Sequence, residues 1–211
     1  NLLIRGLQRL EYRGYDSAGI AVHTQEGFYI SKEVGRVQEL EKIVDLGQTK
    51  GAGIAHTRWA THGGVTVDNA HPHLSPCENV VLVHNGIIEN FSKLKHELVQ
   101  SGASFSSQTD SEVIAHLVAN LYNGDSAFGE EDASPDTKGN PLESIRAALR
   151  FARGTWGVAV MFADRPNEIF AARNGSPLVI GFDGPSMYLA SDPHASSSIT
   201  SLVLVRNTSP F

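Results

Sequence analysis

The last third of the chain limits the architecture most. Four short apolar runs, at 157–162, 169–172, 178–180 and 187–190, follow one another at close spacing with turns between them. Strands joined that way pair antiparallel, and their apolar faces need a cover. Upstream, 18–22 and 28–30 read as strands about a turn at Gly27. Residues 51–57 read as a strand running into the polar segment 56–64, and 79–84 as a buried strand followed by a turn at Asn85-Gly86. Helical spacing lies elsewhere. Leu3, Leu7 and Leu10 recur at i, i+4, i+7 with Arg5, Gln8 and Arg9 off that face, and Asn1 is placed to cap the helix. Val37, Leu40, Ile43 and Val44 predict a helix within 37–46, and further helices are expected over 94–99, 111–121 and 142–151, the second capped by Asp110 or Ser111. Residues 123–141, rich in Gly, Asp, Ser and Pro and holding Glu130-Glu131-Asp132, read as a solvated loop. Helices grouped apart from antiparallel strands predict an α+β layered fold.

The bulk properties exclude several classes. With 211 residues and 41% hydrophobic content, the chain is large enough for a core without staples. A formal net charge of -6 is the wrong sign for a nucleic-acid surface. No apolar run reaches the length of a membrane span, and the first residues lack a signal-peptide pattern. The single cysteine, Cys77, rules out an internal disulfide framework and fits a reducing, cytoplasmic setting. A helix that starts at its cap with no Met, and a strand-like run at 202–205 after which the chain soon stops at Phe211, predict a piece of a longer chain.

Four polar clusters interrupt this framework: Arg9 to Gly19, His56 to Gly63 with His71-Pro72-His73 beyond it, His84 to Asn90, and Ser107 to Glu112. Polar groups concentrated where strands end usually serve a ligand. Arg58 has the planar fork that suits a carboxylate, and Asp110 suits an ammonium. Asn85-Gly86 sets an amide donor beside a backbone N–H that no Cβ obstructs, the makings of an oxyanion hole. Together these describe an amino-acid substrate attacked at a carbonyl. Taken singly, each has a plainer explanation: His84 a core histidine, Asn85-Gly86 a tight turn, Asp110 a helix start, Trp59 a packing residue. A proline between His71 and His73 denies them helical ligand spacing, and the lone thiol sits apart, so no metal site is expected.

These clusters, in this order, resemble the class II, N-terminal-nucleophile glutamine amidotransferases, and within them the branch that makes glucosamine 6-phosphate. The strings at 171–181 and 190–192 resemble that branch too, so the likeness runs from Leu2 to about Asp192. The amidophosphoribosyltransferase branch differs at the first two clusters. The resemblance implies an N-terminal-nucleophile, four-layer αββα sandwich with two antiparallel sheets. It implies hydrolysis of L-glutamine by an N-terminal cysteine whose own α-amino group, with a pKa of about 7.7–8.0, acts as base. By residue match, Asn85 and Gly86 would hold the oxyanion. Arg58 would bind the substrate carboxylate and Asp110 its ammonium, with Thr61 and His62 lining the same loop. Trp59 would gate the ammonia passage and Arg13 would order the cysteine terminus. No cofactor or metal is implied. The expected partners are sugar-phosphate isomerase domains of the same polypeptide, which turn fructose 6-phosphate into glucosamine 6-phosphate within a homo-oligomer.

The expected nucleophilic strand would precede the helix that opens the chain, so the 211 residues are expected to form one amidotransferase domain without that strand and to be inactive as they stand. Cys77 follows a proline in a loop and has no free α-amino group, which makes it a poor substitute. Two other readings stay open here: an inactive glutamine-binding module of the same fold, and a hydrolase built on Cys77 with His71 or His73.

Overall fold

The computed structural model describes residues 2–47, 51–125 and 136–195, together with the backbone of 201–204. The acidic run at 130–132 and the serines at 196–198 lie outside the described residues.

Three antiparallel strands, β1 (Ser17–Thr24), β2 (Gly27–Val34) and β3 (Gly53–Arg58), form a sheet in the order β2-β1-β3. One face of it is covered by α1 (Leu2–Leu10) and α2 (Val37–Ile43), which bury Ile4, Leu7, Val37 and Leu40 against Ala18 and Ile20. The buried stripe of α1 is therefore centred on Ile4 and Leu7 rather than on the Leu3, Leu7 and Leu10 spacing. A second antiparallel sheet, in the order β4-β5-β6-β7, contains β4 (His73–Leu74), β5 (Val80–Ile88), β6 (Gly154–Phe162) and β7 (Phe170–Asn174). Its outer face carries α3 (Phe91–Gln100), α4 (Asp110–Asn123) and α5 (Pro141–Phe151) over the largest apolar cluster, which includes Leu82, Ile114, Leu117, Val160 and Phe162. The inner faces meet directly: Ala21 and Ile54 pack on Val81, Val83, Ala159 and Met161. The layers run α, β, β, α, the sandwich the resemblance implies.

The strands form one sheet more than expected. β8 (Val179–Asp183), β9 (Ser186–Ala190) and β10 (Ser201–Leu204) make a separate antiparallel set in the order β10-β8-β9. A turn at Gly175, with φ of 77°, ends β7 and sends the chain away before it can extend the second sheet. Leu189 of β9 still packs on the inter-sheet core.

Three local expectations are corrected. Asn85-Gly86 is no turn: both residues lie within β5, Asn85 opposite Gly157 and Gly86 opposite Trp156. The ladder continues to Ile88 because β6 offers a partner for every residue. The cap of α4 is Thr109, not Asp110 or Ser111; its hydroxyl accepts the Glu112 N–H at 3.3 Å. The loop expected over 123–141 is shorter at both ends. Asn123 closes α4, and Pro141 opens α5 behind the cap Asn140.

Met161 is 0% exposed between the two sheets, whereas Met187 on β9 is 68% exposed. Met161→Ala should lower unfolding stability by about 2–5 kcal/mol. Met187→Ala should change it by no more than about 0.5 kcal/mol. Urea denaturation of the pair checks the layer assignment, and equal losses would contradict it.

Candidate active site

Alternation along β3 and β5 decides which side chains enter the cleft between the sheets. On β5, Val80, Leu82 and Ile88 face the helices while Val81 and Val83 face the other sheet. The same pleat turns His84 toward α4 and Asn85 into the cleft. On β3, Ile54 is an inter-sheet residue, so His56 and Arg58 share its face. At this end the cleft opens into a groove of about 1300 Å³. All eight residues singled out by resemblance line it: Arg13, Arg58, Trp59, Thr61, His62, Asn85, Gly86 and Asp110. Gly86 has φ of 148°, and a Cβ there would lie 2.1 Å from the Thr155 carbonyl oxygen, so only glycine lets the backbone run so close to β6.

Asp110 reaches the groove from the start of α4. One carboxylate oxygen accepts the Ile88 N–H at 2.8 Å, which ties α4 to the end of β5. Oδ1 faces His62 Nδ1 at 4.0 Å and Ser111 Oγ at 3.4 Å. Arg58 is equally buried, but its fork does not stand open. It donates to the carbonyl of Gly64 at 3.0 Å and to that of His62, so it straps down its own loop. Burial works against its charge, while Asp16 and Asp110 favour it. The loop is latched from the other side: Asn69 Nδ2 donates to the Gly64 carbonyl at 2.9 Å, and Asn69 Oδ1 accepts the Gln108 N–H at 2.8 Å.

The first cluster supports this loop from below. A Cβ on Gly14 would meet the Arg58 backbone at 2.8 Å, so the segment before β1 packs on the end of β3. Asp16 Oδ2 accepts the Ala60 N–H at 2.8 Å. Trp59 is 57% exposed and meets Tyr15 edge-on at 5.6 Å. Arg13 is held by Ser191, at 3.3 Å to Oγ, and by Asp192 at 3.6 Å. The hydrogen bond from Tyr12, with the His194 N–H, holds the Asp192 carboxyl down at about 2. The match at 190–192 thus belongs to the same assembly as the first cluster.

Four histidines cluster at the groove, His56, His71 and His84 lining it and His73 behind them. His56 stacks on His71 at 4.2 Å between ring centres, and His71 meets His73 at 4.7 Å. His73 Nε2 bonds Thr109 Oγ1 at 3.0 Å, and His71 and His84 both bond Ser111. Burial, with repulsion from His84 and Arg58, pushes His56 down to about 3. Burial and Lys32 do the same to His73, also to about 3. Burial likewise drives His71 well below the usual imidazole range. Among the described residues no three His, Cys, Asp or Glu side chains are arranged to hold a metal ion. Cys77 lies elsewhere, exposed, donating to Asn79 Oδ1 at 2.8 Å and within 3.4 Å of Ser75 Oγ. Its neighbours are the amides of Asn79 and Asn123 and the Ser75 hydroxyl, while His71 and His73 bond Ser111 and Thr109, so among the described residues Cys77 has no histidine partner.

Sequence reasoning found the groove-lining residues but not what holds them. Asn69 stands outside every cluster and carries no periodic signal. Its role as a latch depends on Gly64 and Gln108 converging on it in space. Glu112 lies in the fourth cluster without an assigned role. Burial works to raise its carboxyl, but hydrogen bonds from His116, Ser107 and Ser106 outweigh that and hold it well below the carboxylate range. Its bonds to the Ser106 and Ser107 N–H groups, at 2.8 and 2.6 Å, fix the segment that delivers Gln108 and Thr109.

Residues 56–197 match a family model described as a glutamine amidotransferase domain. A glutamine–fructose-6-phosphate aminotransferase (isomerizing) of Chlorobaculum tepidum is 47% identical over 195 residues, covering 90% of this chain and 30% of its own length. Enzymes of that name from Thermus thermophilus and Pseudomonas putida are 45% and 46% identical, covering 97% and 94% of this chain and 31% of their own lengths. The chain thus spans under a third of these curated relatives. Among solved structures, the glutamine phosphoribosylpyrophosphate amidotransferase of B. subtilis, complexed with ADP and GMP, superposes with a TM-score of 0.75 at 25% identity, over 97% of this chain and 42% of that one.

The buried histidines set an acid limit on stability. In the unfolded chain each binds a proton near pH 6.5, whereas folded His56 and His73 stay neutral down to about 3. Between those values the unfolded state holds more protons, so stability is complete above pH 6.5 and falls as pH drops below it. The slope should be about 1.4 kcal/mol per pH unit for each such histidine. Glu112, depressed when folded, adds a loss of the same sign below about pH 4.5. Urea denaturation between pH 7 and 5 measures the slope, and His73→Gln should make it shallower by one histidine's share.

Proposed function

Because the chain belongs to the glutamine amidotransferase domain family, we propose that it is the glutaminase part of a glucosamine-6-phosphate synthase, releasing glutamate and ammonia from L-glutamine. The observation that carries this reading is the charge pattern of the groove: a buried cation, Arg58, a buried anion, Asp110, and the amide and backbone donors of Asn85-Gly86 line one opening. A zwitterionic amino acid with a side-chain carboxamide matches that pattern. Its carboxylate goes to Arg58, replacing neutral carbonyl contacts with a charge-assisted fork and freeing the 62–64 loop to rearrange over the substrate. Its ammonium goes to Asp110 Oδ1, with Thr61 and His62 beside it. The carbonyl oxygen that becomes negative during attack is held by Asn85 and Gly86.

Cys77 does not supply the nucleophile, because it lies outside the groove. That role falls to the N-terminal cysteine the family resemblance implies. Its thiolate adds to the carboxamide carbon, ammonia leaves, and water then cleaves the γ-glutamyl thioester. Arg13, anchored by Ser191 and Asp192, orders that terminus, and Trp59 stands at the exit for ammonia. Ammonia passes on to sugar-phosphate isomerase domains of the same polypeptide, which make glucosamine 6-phosphate from fructose 6-phosphate. The length of the relatives supports those further domains. We place the assembled enzyme in the cytoplasm as a homo-oligomer; no helix among the described residues is long and apolar enough to cross a membrane.

Glutamate release by the full-length protein, with its N-terminus established by sequencing, tests the reading. Asn85→Ala should lower kcat by roughly 10²–10³-fold with little change in KM. Asp110→Asn should raise KM for glutamine by about tenfold or more, since it leaves the substrate ammonium without its charge partner. Glutamine binding with no turnover would point instead to an inactive glutamine-binding module. Loss of activity in Cys77→Ala, with Asn85→Ala unaffected, would overturn the assignment of the site.

A further inference from the structure

Ser111 has no part in the chemistry just described, yet it sits at the junction of everything that does. It occupies the first turn of α4, is 2% exposed, and directly follows Asp110. Its Oγ lies 2.9 Å from His84 Nδ1, 3.4 Å from His71 Nε2 and 3.4 Å from Asp110 Oδ1. The surrounding bonds fix where the protons are. The backbone N–H of His84 donates to His71 Nδ1 at 3.3 Å, so that nitrogen is a bare acceptor. Neutral His71 therefore carries its proton on Nε2 and donates it to Ser111 Oγ. At the other end, His84 Nε2 faces the Thr155 carbonyl at 3.4 Å, a partner that can only accept. Neutral His84 thus carries its proton there, leaving Nδ1 to accept the Ser111 hydroxyl. Burial favours the neutral form of both rings, against the pull of Asp110 on His84.

We propose that Ser111 is a positioning residue for glutamine hydrolysis: its hydroxyl accepts from His71 and donates to His84, which locks the strand carrying Asn85-Gly86 against the helix carrying Asp110. Two consequences bear on the site. The chain of bonds runs from the His84 backbone through both rings to the Thr155 carbonyl, the same carbonyl that a Cβ on Gly86 would strike. The oxyanion donors are thereby held in fixed register with β6. In addition, Ser111 has only one proton and two acceptors within reach, His84 Nδ1 at 2.9 Å and Asp110 Oδ1 at 3.4 Å. Committing it to the nearer one, His84, leaves Asp110 Oδ1 for the substrate ammonium, Oδ2 being taken by Ile88. Only a hydroxyl both accepts and donates at one atom in this space, so Thr can replace Ser here and Val cannot.

The inference rests on the glutaminase reading for its effect on rate, but not for its proton assignments. Nitrogen-15 NMR of histidine-labelled full-length protein near pH 7 should show His71 and His84 neutral, both protonated on Nε2. In Ser111→Val, which has the shape of Ser111→Thr but no hydroxyl, His84 should lose that single tautomer and kcat for glutamate release should fall by about tenfold or more. Ser111→Thr should restore both. A wild-type His84 protonated on Nδ1, or Ser111→Val with unchanged histidine spectra or with kcat and KM within twofold of wild type, would overturn the proposal. If the wild-type protein releases no glutamate, the glutaminase reading fails on its own. The spectra still decide whether Ser111 bridges the two rings. A Ser111→Val protein that does not fold is replaced by Ser111→Ala, read against the same two outcomes.

Discussion

The pleat of β5 is the constraint on which the rest of the molecule depends. Its alternate residues belong to two different layers: Val80, Leu82 and Ile88 to the helices, Val81 and Val83 to the opposing sheet. Because the strand period is two, the polar residues that follow are sorted by the same rule. His84 enters the wall between strand and helix and Asn85 enters the cleft. The hydrogen bond from Ile88 N–H to Asp110 fixes the remaining degree of freedom, the position of α4 along the strand. A slip of one residue would carry Asn85 into the helical layer and Val83 with it, at the cost of both apolar clusters. Core packing and site geometry are therefore a single requirement.

Around this strand the protein buries a large polar inventory and keeps most of it uncharged. His56, His71, His73 and His84 occupy space that aliphatic side chains would fill, and burial holds them neutral. Neutral imidazole can donate at one nitrogen and accept at the other, so rings link hydroxyls and carbonyls without adding charge. Against that background, Arg58 and Asp110 stand as opposite charges lining the groove, with Asp16 and Asp110 both favouring the charge on Arg58. Charges in such a poorly solvated setting act more strongly than in water, and the proposed zwitterion site would draw on that.

In the loop between β3 and Asn69, the residue proposed to bind the substrate carboxylate has a structural task as well. Arg58 straps the 62–64 carbonyls from inside while Asn69 and Gln108 hold Gly64 from outside. The Asn69 contacts are single neutral hydrogen bonds worth about 1 kcal/mol net each, and those from the charged Arg58 fork about 1.5–3 kcal/mol, rather than apolar burial. Under the proposed function, a substrate carboxylate would exchange the Arg58 strap for a charge-assisted pair.

The α+β character, most helices and the antiparallel pairing were legible in the sequence, since apolar period and turn chemistry suffice for them, whereas Arg13, Trp59, Thr61 and His62 were marked only by the family resemblance. Arg58, Asp110 and Asn85-Gly86 were recognisable because each carries a functional group whose chemistry is distinctive even out of context. The strand context of Asn85-Gly86 was not. The pair has turn chemistry locally, and only the partner strand β6, some seventy positions on in the ladder, extends β5 through it. Thr109 wins the cap of α4 from Asp110 because Asp110 is held by Ile88 of another element. Asn69, Ser111 and Glu112 have ordinary side chains whose meaning is entirely in their neighbours. Which residues are apolar at which period, and which groups can bind, follow from residue type and spacing and are written along the chain. Which polar groups meet is not, since hydrogen-bond partners far apart in the chain are set by the register between layers.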